Sequence, residues 1–449
     1  MNRDAGRGHD TIAAQATPPG HGGIGVIRVS GPAAGTIAAA LAPPLAEPRR
    51  AALRAFRAAD GEPIDRGLLL WLPAPGSYTG EDSLELQGHG GPAVVDALLA
   101  RVLELGARAA RPGEFTERAF LNGRLDLAQA EAVADLIESA DRAGARAAMR
   151  SLEGAFSQRV EDLSGQLTGL RAWIEATLDF PEEEVDYLAD PALAARVEAL
   201  QTAIAETRAA AAEGRRLVEG QTVVIAGAPN AGKSTLLNRL AGAEAAIVTE
   251  VPGTTRDTLR ESIRIEGVPL TVIDTAGLRD TDDPVESEGV RRARAATERA
   301  DRILLIVDST AADAALPEFA PGIPVDVVRN KIDLSGEAAG PEPDAAGRSV
   351  FRVSAATGAG LEALRAHLHR ALGAAGHEGV FSARRRHLDA LDRAAAEVAA
   401  AVTEFRHSAA GELVAEHLRR AQDELGAITG RVTSEDLLGE IFGRFCIGK

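Results

Sequence analysis

The sequence predicts a multidomain α/β protein in which a doubly wound, mostly parallel sheet is inserted between two helical segments. The chain has 449 residues, and at about 100–200 residues per domain this length predicts several domains. Five short apolar runs alternate with helical stretches in residues 220–374, which is the pattern of a parallel sheet. Helical periodicity lies on both sides of that region. Because the termini of a domain usually lie close together, a domain can be inserted into another one.

The N-terminal part, residues 1–122, is predicted to be an α+β domain. Its β-like runs DTIAAQAT, GVIRVS, GLLLWLP and SLELQ are separated by Gly and Pro clusters. The stretches PAAGTIAAALA and PAVVDALLARVLELG have helical periodicity. Residues 123–219 and 375–449 are predicted to be the two parts of a helical domain. We expect these parts to pack as one bundle, because the second part alone would bury little core.

Composition and charge exclude several classes of protein. Hydrophobic residues make up 45% and charged residues 26%, values of globular rather than disordered or collagen-like chains. No run of about 18 uncharged apolar residues is present, so no membrane span is predicted. The formal net charge is −17, so any contact with nucleic acid must be local. The polar N-terminus and the single cysteine, Cys446, together predict a cytoplasmic protein.

Lysine is rare in this chain. Of the 49 Lys and Arg residues, three are lysines: Lys233, Lys331 and Lys449. Arginine carries a wide planar guanidinium and lysine a compact ammonium, so some sites that bind lysine cannot accept arginine. The surviving lysines are therefore candidates for functional positions, with accident as the alternative.

Residues 227–234, GAPNAGKS, match the phosphate-binding pattern G-x-x-x-x-G-K-[ST]. The segment follows the apolar run TVVIA and precedes the helical run TLLNRLAG, which is the context that the motif requires. Backbone N–H groups of the loop and of the helix N-terminus bind phosphates in such a motif. Lys233 is predicted to reach the β- and γ-phosphates, and Ser234 to offer its hydroxyl to Mg²⁺.

The motif DTAG, residues 274–277, ends a second apolar run. Asp274 at a strand end can hold Mg²⁺ through water, and the N–H of Gly277 can sense the γ-phosphate. The glutamine that orients water after this motif in Ras-type GTPases is replaced by Leu278. Five acidic residues downstream remain as candidates for orienting the water, namely Asp280, Asp282, Asp283, Glu286 and Glu288.

The motif NKID, residues 330–333, predicts selection of guanine. Asp333 can accept both N–H donors of the guanine Watson–Crick edge, a pair that adenine lacks. Asn330 is predicted to brace the site, and the stem of Lys331 to cover the base. The segment SAA, residues 354–356, is predicted to give a backbone N–H to the guanine oxygen. The motifs in this order predict a GTPase, with an ATPase or an inactive nucleotide-binding fold as the alternative.

Two further features belong to this predicted site. Residues 249–257, TEVPGTTRD, lie between the phosphate-binding loop and DTAG, where a threonine that completes Mg²⁺ coordination would make a switch loop. Asn230 lies inside the phosphate-binding loop, where its carbonyl oxygen could bind a monovalent cation. Such a cation near the transferring phosphoryl group could replace an arginine finger.

Segments along the whole chain carry a family resemblance. The motifs GAPNAGKST, GTTRD, DTAGLR and NKID are shared among related GTPases. More specific segments are DTIAAQATPPGHGGIGVIRVSG, SYTGEDSLELQGHGG, ARPGEFTERAFLNGRLDLAQAEAVADLI, ARRRHLDAL and LLGEIFGRFCIGK. With these segments, essentially the whole chain resembles the MnmE (TrmE) family of tRNA modification GTPases. The resemblance implies that residues 1–122 bind folate and dimerise, and that residues 220–374 are a TrmE-type, Ras-like P-loop GTPase domain.

The resemblance also implies roles for individual residues. It makes Glu286 the catalytic acid that acts on the attacking water. It assigns K⁺ to Asn230, Thr249, Val251 and Thr254, and Mg²⁺ to Ser234 and Thr255. It assigns a reduced folate, 5-formyl- or 5,10-methylene-tetrahydrofolate, to Arg28, Glu85, Arg124 and Lys449. The GTP-binding set is Asn230, Ala231, Gly232, Lys233, Ser234, Thr235, Thr249, Glu250, Val251, Pro252, Gly253, Thr254, Thr255, Asp274, Thr275, Ala276, Gly277, Asn330, Lys331, Asp333, Ser354, Ala355 and Ala356.

The resemblance implies a homodimer that hydrolyses GTP in a potassium-dependent reaction. With the FAD-binding partner MnmG, in a heterotetramer, the protein would add a carboxymethylaminomethyl group to C5 of the wobble uridine, position 34, of certain tRNAs. One alternative is an Era/Der-like ribosome-assembly GTPase, which needs an RNA-binding module such as KH. Another is a folate-binding scaffold with a vestigial GTPase. Cys446 would be either a nucleophile beside the folate or a buried thiol.

Overall fold

The computed structural model of the chain divides into two compact units. The first consists of Met1–Ala134, Ser151–Ile204 and Ala390–Lys449, and the second of Asp135–Arg150 and Ala205–Asp389. The predicted domain boundaries after residues 122, 219 and 374 stay predictions. The residues that the structure describes are 10–139, 142–179, 191–218, 221–228, 230–241, 260–265, 268–274, 300–311, 319, 322–343, 348–371, 380–407, 411–443 and 445–448.

The N-terminal part contains a six-stranded sheet of order β3-β4-β5-β2-β1-β6. Helices α1 (Ala34–Leu41) and α2 (Pro92–Glu104) pack their apolar sides on one face of it. Along β5, Leu84 and Leu86 enter this core while Glu85 faces the other way, as the two-residue period of a strand requires. The strands are β1 (Ile12–Gln15), β2 (Gly22–Ser30), β3 (Ala51–Arg57), β4 (Pro63–Leu72), β5 (Ser83–Gly90) and β6 (Arg108–Ala109).

This arrangement confirms the α+β prediction, including both helices and the four predicted strands. The sequence did not predict β3, because AALRAFR is rich in helix-favouring alanine and arginine. It becomes a strand through its antiparallel pairing with β4, in which Leu53 lies opposite Leu68. Tertiary pairing outweighs local propensity here.

The first helical segment follows the sheet. It consists of α3 (Glu114–Leu121), α4 (Leu127–Glu138), α5 (Arg142–Leu152), α6 (Ala155–Asp179) and α7 (Pro191–Val218).

A seven-stranded sheet of order β12-β13-β11-β10-β7-β9-β8 comes next in the chain. Its five central strands are parallel, and the edge strands β8 and β12 are antiparallel. The helices of this part are α8 (Lys233–Ala241), α9 (Ile332–Ser335) and α10 (Leu361–Ala371). The strands are β7 (Gln221–Gly227), β8 (Arg260–Ile265), β9 (Val268–Asp274), β10 (Arg302–Asp308), β11 (Val325–Asn330), β12 (Gly340–Pro343) and β13 (Ser349–Arg352).

The five predicted apolar runs are the five parallel strands, so the predicted doubly wound sheet is confirmed. Both faces of β10 are buried, with Leu304 and Ile306 in one apolar cluster and Ile303 and Leu305 in another. Strands covered on both faces are continuously apolar, which is why the sequence shows them. The two edge strands, RESIRI and GPEP, lack this signal because polar residues and proline are tolerated at an edge.

The second helical segment consists of α11 (Arg385–His407), α12 (Gly411–Thr429) and α13 (Glu435–Gly443). Helix α12 packs along α6 of the first segment. Arg171 Nη1 donates to Gln422 Oε1 at 3.2 Å, and Gln422 Nε2 donates to Thr168 Oγ1 at 2.9 Å. These contacts agree with the prediction that the two helical segments pack together. Among the described helices, none has the length and apolar character needed to cross a membrane.

Candidate functional site

The phosphate-binding loop connects β7 to α8 at the edge where the parallel strands end. Gly227 and Gly232 have φ angles of +152° and +90°, which L side chains rarely adopt. A Cβ at Gly227 would collide with the carbonyl oxygen of Ile306, and one at Gly232 with the amide of Asn330. Asn230 is also left-handed, with φ +63°. The loop is therefore a tight turn whose glycines are required by space as well as by conformation.

Lys233 is the first residue of α8. Its ammonium Nζ donates to the carbonyl oxygens of Gly227 at 3.1 Å and Ala228 at 3.2 Å, so it lies over the loop. Ser234 and Thr235 are exposed in the first turn of the same helix. The N–H groups of that turn and the helix dipole favour an anion. The structure therefore brings the predicted phosphate-binding residues together.

Asn330 joins two parts of the predicted nucleotide site. Its side chain is 2% exposed. Its Nδ2 donates to the carbonyl oxygen of Ala231 in the phosphate-binding loop at 2.9 Å. Its Oδ1 accepts from the N–H of Ala355 at 2.9 Å. The bracing role predicted for Asn330 thus takes the form of a buried link between the phosphate-binding loop and residues 354–356.

Asp333 is the second residue of the short helix α9 and is exposed. The buried Ser354 donates from Oγ to Asp333 Oδ1 at 2.6 Å, and the same Oγ accepts from the N–H of Thr357 at 3.1 Å. One carboxylate oxygen is thereby oriented by the protein. The sequence predicted only a backbone donor in residues 354–356, and the side chain of Ser354 adds a second role to that segment.

Asp308 was not among the residues predicted from the sequence. It ends β10 directly beside Asn330 at the end of β11. Lys331 Nζ donates to Asp308 Oδ2 at 2.6 Å, and Thr310 donates to Asp308 Oδ1 from Oγ1 at 2.7 Å and from N at 3.0 Å. These hydrogen bonds, that from Lys331 above all, lower the pKa of Asp308 to about 2. An acid at the carboxyl end of a parallel strand is the sequence signal that would have identified it.

Arg239 is a second residue that was not predicted from the sequence. It lies in the last turn of α8, and its Nη2 donates to the carbonyl oxygen of Ala356 at 2.7 Å. Arg365 of α10 in turn donates to the carbonyl oxygen of Arg239. The helix behind the phosphate-binding loop therefore also holds residues 354–356, and only the folded chain shows this.

Of Asp274 the structure describes the backbone. It lies at the end of β9 and pairs with Ile225 of β7, at the edge of the sheet where the phosphate-binding loop lies. Several other predicted site residues lie outside the described residues, and their roles stay predictions. They are the catalytic Glu286 and the residues Thr249, Glu250, Val251, Pro252, Gly253, Thr254, Thr255, Thr275, Ala276, Gly277 and Lys449.

The predicted folate residues Arg28 and Glu85 face each other on β2 and β5. Arg28 donates from Nε at 3.2 Å and from Nη2 at 3.1 Å to the same oxygen, Glu85 Oε1. Both side chains keep about a fifth of their surface exposed, at 21% and 20%. The guanidinium carbon of Arg28 lies 5.6 Å from the ring centre of Tyr78 and 5.8 Å from that of Phe115. This is an accessible charged pair flanked by aromatic rings.

The C-terminal segment reaches this pair. Phe442 packs near Phe120 of α3 with ring centres 6.4 Å apart. The carbonyl oxygen of Cys446 accepts from the N–H of Gly113 at 3.4 Å, and that of Gly448 accepts from Arg28 Nη1 at 3.5 Å. Residue 448 thus contacts a predicted folate residue, and Lys449 follows it in the chain. Cys446 is exposed, so the alternative of a buried thiol was wrong, and the alternative of a nucleophile beside the folate stays a prediction.

Arg124, the third described folate candidate, is exposed in the turn after α3. Its side-chain Cγ lies 3.3 Å from the position that a Cβ on Gly80 would occupy, and Gly80 has φ +79°. Gly80 is two residues from Tyr78, which flanks Arg28. The structure therefore places the Arg124 side chain against the loop that carries Gly80 and Tyr78.

Helix α3, which carries Phe115, is held by a partly buried ionic network. Arg118 donates to Glu81 Oε2 at 3.1 Å and to Asp10 Oδ1 at 2.7 Å, and Arg108 donates to Glu114 Oε1 at 2.5 Å. Burial raises the pKa of Glu114, but the hydrogen bonds from Arg108 and from the N–H of Arg111 outweigh it and lower this pKa to about 2. Glu114 is therefore charged at neutral pH. The network holds helix α3, whose Phe115 ring lies beside Arg28.

Comparisons with known proteins cover nearly the whole chain. A family model described as the MnmE helical domain matches residues 127–446, and one described as the GTP-binding protein TrmE N-terminus matches residues 11–124. The tRNA modification GTPase MnmE of Pseudomonas paraeruginosa is 56% identical over 450 residues, which is 98% of this chain and 99% of that protein. The protein of the same name from Alkalilimnicola ehrlichii is 57% identical over 441 residues, again 98% and 99%. That from Aeromonas hydrophila is 53% identical over 451 residues, with the same shares.

Proposed function

The chain belongs to the MnmE family of tRNA modification GTPases, and we propose that it uses GTP hydrolysis to drive the modification of tRNA wobble uridines. It is a GTPase of tRNA modification, and the finer parts of the reaction are our proposal. The observation that best supports the proposed nucleotide site is the buried Asn330, whose side chain links the phosphate-binding loop to the segment beside Asp333. Full-length similarity, including both regions that flank the GTPase domain, does not favour an Era/Der-like ribosome-assembly factor.

In the proposed site Lys233 and the N–H groups at the start of α8 bind the phosphates, and Asp333 binds the guanine edge. The exposed hydroxyl of Ser234 is an oxygen donor of the kind that Mg²⁺ prefers, and Thr255 is proposed as its companion. Bound Mg²⁺ would neutralise charge that develops on the phosphate oxygens. Glu286 is proposed to orient the attacking water, in place of the glutamine that Leu278 replaces.

Potassium is proposed to bind at Asn230, Thr249, Val251 and Thr254. The left-handed turn at Asn230, φ +63°, lies in the phosphate-binding loop, and an amide oxygen is a suitable ligand for a monovalent cation. The bound ion would supply positive charge beside the transferring phosphoryl group.

We expect GTP turnover to be about tenfold or more faster in potassium than in sodium buffer, because a fixed positive charge beside the transferring phosphoryl group stabilises the transition state. Asn230→Ala should remove this difference. Asn238→Ala, an exposed asparagine of α8, is the matched control and should retain it. The measurement is steady-state phosphate release at constant ionic strength. Equal turnover of the unmodified protein in both buffers would contradict the potassium assignment.

A reduced folate, 5-formyl- or 5,10-methylene-tetrahydrofolate, is proposed to bind at Arg28, Glu85, Arg124 and Lys449. Guanidinium groups suit the carboxylates or the formyl oxygen of a folate, and a carboxylate suits the N–H donors of the pterin. The partly exposed Arg28–Glu85 pair and the contact of Gly448 with Arg28 support this choice. The folate would supply the one-carbon unit of the modification.

The proposed assembly is a homodimer that joins the FAD-binding partner MnmG in a heterotetramer and acts on tRNA in the cytoplasm. The proposed product is a carboxymethylaminomethyl group on C5 of uridine 34. Removal of the gene, followed by mass analysis of tRNA nucleosides, tests this function. Unchanged wobble uridines in the deletion strain would refute it.

Lys449→Ala, introduced into that deletion strain, is expected to impair modification of wobble uridines while GTP hydrolysis by the purified variant persists. Its ammonium is proposed to bind folate, and in sequence it is far from the nucleotide motifs. Folate affinity should fall by about tenfold, the effect of one charge-assisted hydrogen bond. Arg431→Ala, an exposed arginine of the C-terminal region, is the control. Normally modified nucleosides in the Lys449→Ala strain would contradict the proposed role of Lys449 in folate binding.

A further inference from the structure

The carboxylate of Asp308 is fixed by two neighbours. Thr310 occupies Oδ1 through its hydroxyl at 2.7 Å and its N–H at 3.0 Å. Oδ2 is left for the Lys331 ammonium at 2.6 Å. The side chains of Lys331 and Asp308 are 30% and 23% exposed. A carboxylate held by Thr310 in this way offers the lysine one oxygen in one direction.

The backbone at Lys331 is also unusual. Its φ angle is +69°, a left-handed conformation that residues with a Cβ adopt only when their surroundings impose it. The carbonyl oxygen of Lys331 accepts from the N–H of Leu334 at 2.9 Å, which starts the turn that carries Asp333. The stem of Lys331 is therefore anchored at both ends, by this turn at the backbone and by Asp308 at the ammonium.

We propose that Asp308 is a positioning residue for guanine nucleotides, because it fixes the stem of Lys331 as one wall of the base site. Asp308 also neutralises the ammonium, so the wall that meets the base is the apolar part of the lysine. This inference rests on the proposed GTP site, in which Asp333 binds the base edge. The two roles are separate: Asp333 distinguishes bases by their hydrogen-bonding groups, whereas Asp308 acts on any purine that stacks on the stem.

The same geometry explains why a chain with three lysines among 49 basic residues keeps one here. A single ammonium on a four-carbon stem meets a single carboxylate oxygen. A planar guanidinium presents two donors side by side and would need the oxygen that Thr310 already occupies. The geometry of Asp308 therefore favours lysine over arginine at position 331.

The test uses the full-length chain and two ligands, GDP and IDP, which differ in the 2-amino group that Asp333 would bind. Asp308→Asn is expected to weaken both ligands by the same factor, about three- to tenfold, because one charge-assisted hydrogen bond is lost. The matched control is Glu337→Gln. It removes another partly exposed ion pair in the same unit, Arg329–Glu337 at 3.0 Å, and should leave both affinities unchanged.

Lys331→Met gives an independent measurement, since it keeps an unbranched stem but loses the ammonium. We expect it to weaken both ligands to the same extent, and we expect Asp308→Asn to add nothing in the Lys331→Met background. Wild-type affinity in either single variant, additive losses in the double variant, or a changed ratio of GDP to IDP affinity would overturn the proposal. Failure of the unmodified chain to bind GDP would instead overturn the proposed GTP site and this inference with it.

Discussion

Lys233→Arg is expected to lower the rate of GTP hydrolysis by at least about 100-fold although the charge is kept. The ammonium of Lys233 lies within 3.1–3.2 Å of two carbonyl oxygens of the phosphate-binding loop. That loop is so tight that a Cβ on Gly227 or Gly232 would collide with neighbouring atoms. A planar guanidinium is wider than an ammonium and cannot occupy the same position without displacing the loop. The backbone N–H groups that should bind the phosphates would move with it.

Steady-state GTP hydrolysis and GDP affinity of the purified variant measure this effect. Arg370→Lys, an exchange in the opposite direction on the exposed part of α10, is the control and should hydrolyse GTP normally. Thermal unfolding of both variants separates a local effect from loss of the fold. Near-normal turnover of the Lys233→Arg protein would show that the loop accommodates a guanidinium group. The proposal that this position requires a compact ammonium would then be wrong.

Asp333→Asn is expected to weaken GDP binding by about 100-fold or more and to create affinity for XDP. A carboxylate accepts both N–H donors of guanine, whereas an amide presents one acceptor and one N–H₂ donor. The amide donor would face the guanine 2-amino group and leave polar groups unpaired in the complex. Xanthine has a carbonyl oxygen at that position and would pair with the amide. Ser354 would still contact residue 333, so the loop is expected to persist.

Competition binding with GDP, XDP and ADP measures this exchange of preference. Glu337→Gln, which makes the equivalent chemical change at a surface ion pair, should keep the preference for GDP. Equal weakening of all three ligands would indicate damage to the fold of the site. An unaltered preference of Asp333→Asn for GDP over XDP would mean that another group recognises the base.

The nucleotide site was predictable from the sequence because its parts are local. The phosphate-binding loop, DTAG and NKID each lie within eight consecutive residues, and each follows an apolar run that became a parallel strand. Parallel strands end at one edge of a sheet, so motifs placed after them must meet there. The bracing role of Asn330 follows from that geometry and is present in the structure.

The folate candidates came from family resemblance rather than from chemistry along the chain. Arg28 and Glu85 are 57 positions apart, and Arg28 and Gly448 are 420 apart. No periodicity or spacing connects residues so distant, and each taken alone would be interpreted as a surface charge. Their meeting depends on the β2–β5 register and on packing of the C-terminal segment against α3.

By itself, the sequence determined the class of fold, the order of its parts and the candidate segments for phosphate and guanine binding, because buried strands and glycine-rich turns leave local patterns. The tertiary structure alone decided that AALRAFR is a strand, that Cys446 is exposed, that Asp308 binds the Lys331 ammonium and that Arg239 donates to Ala356. Each of these depends on a partner from another element. Such pairs form only when the whole chain packs. A contact between distant residues costs the entropy of closing the chain between them, and the packing of the rest of the fold offsets that cost.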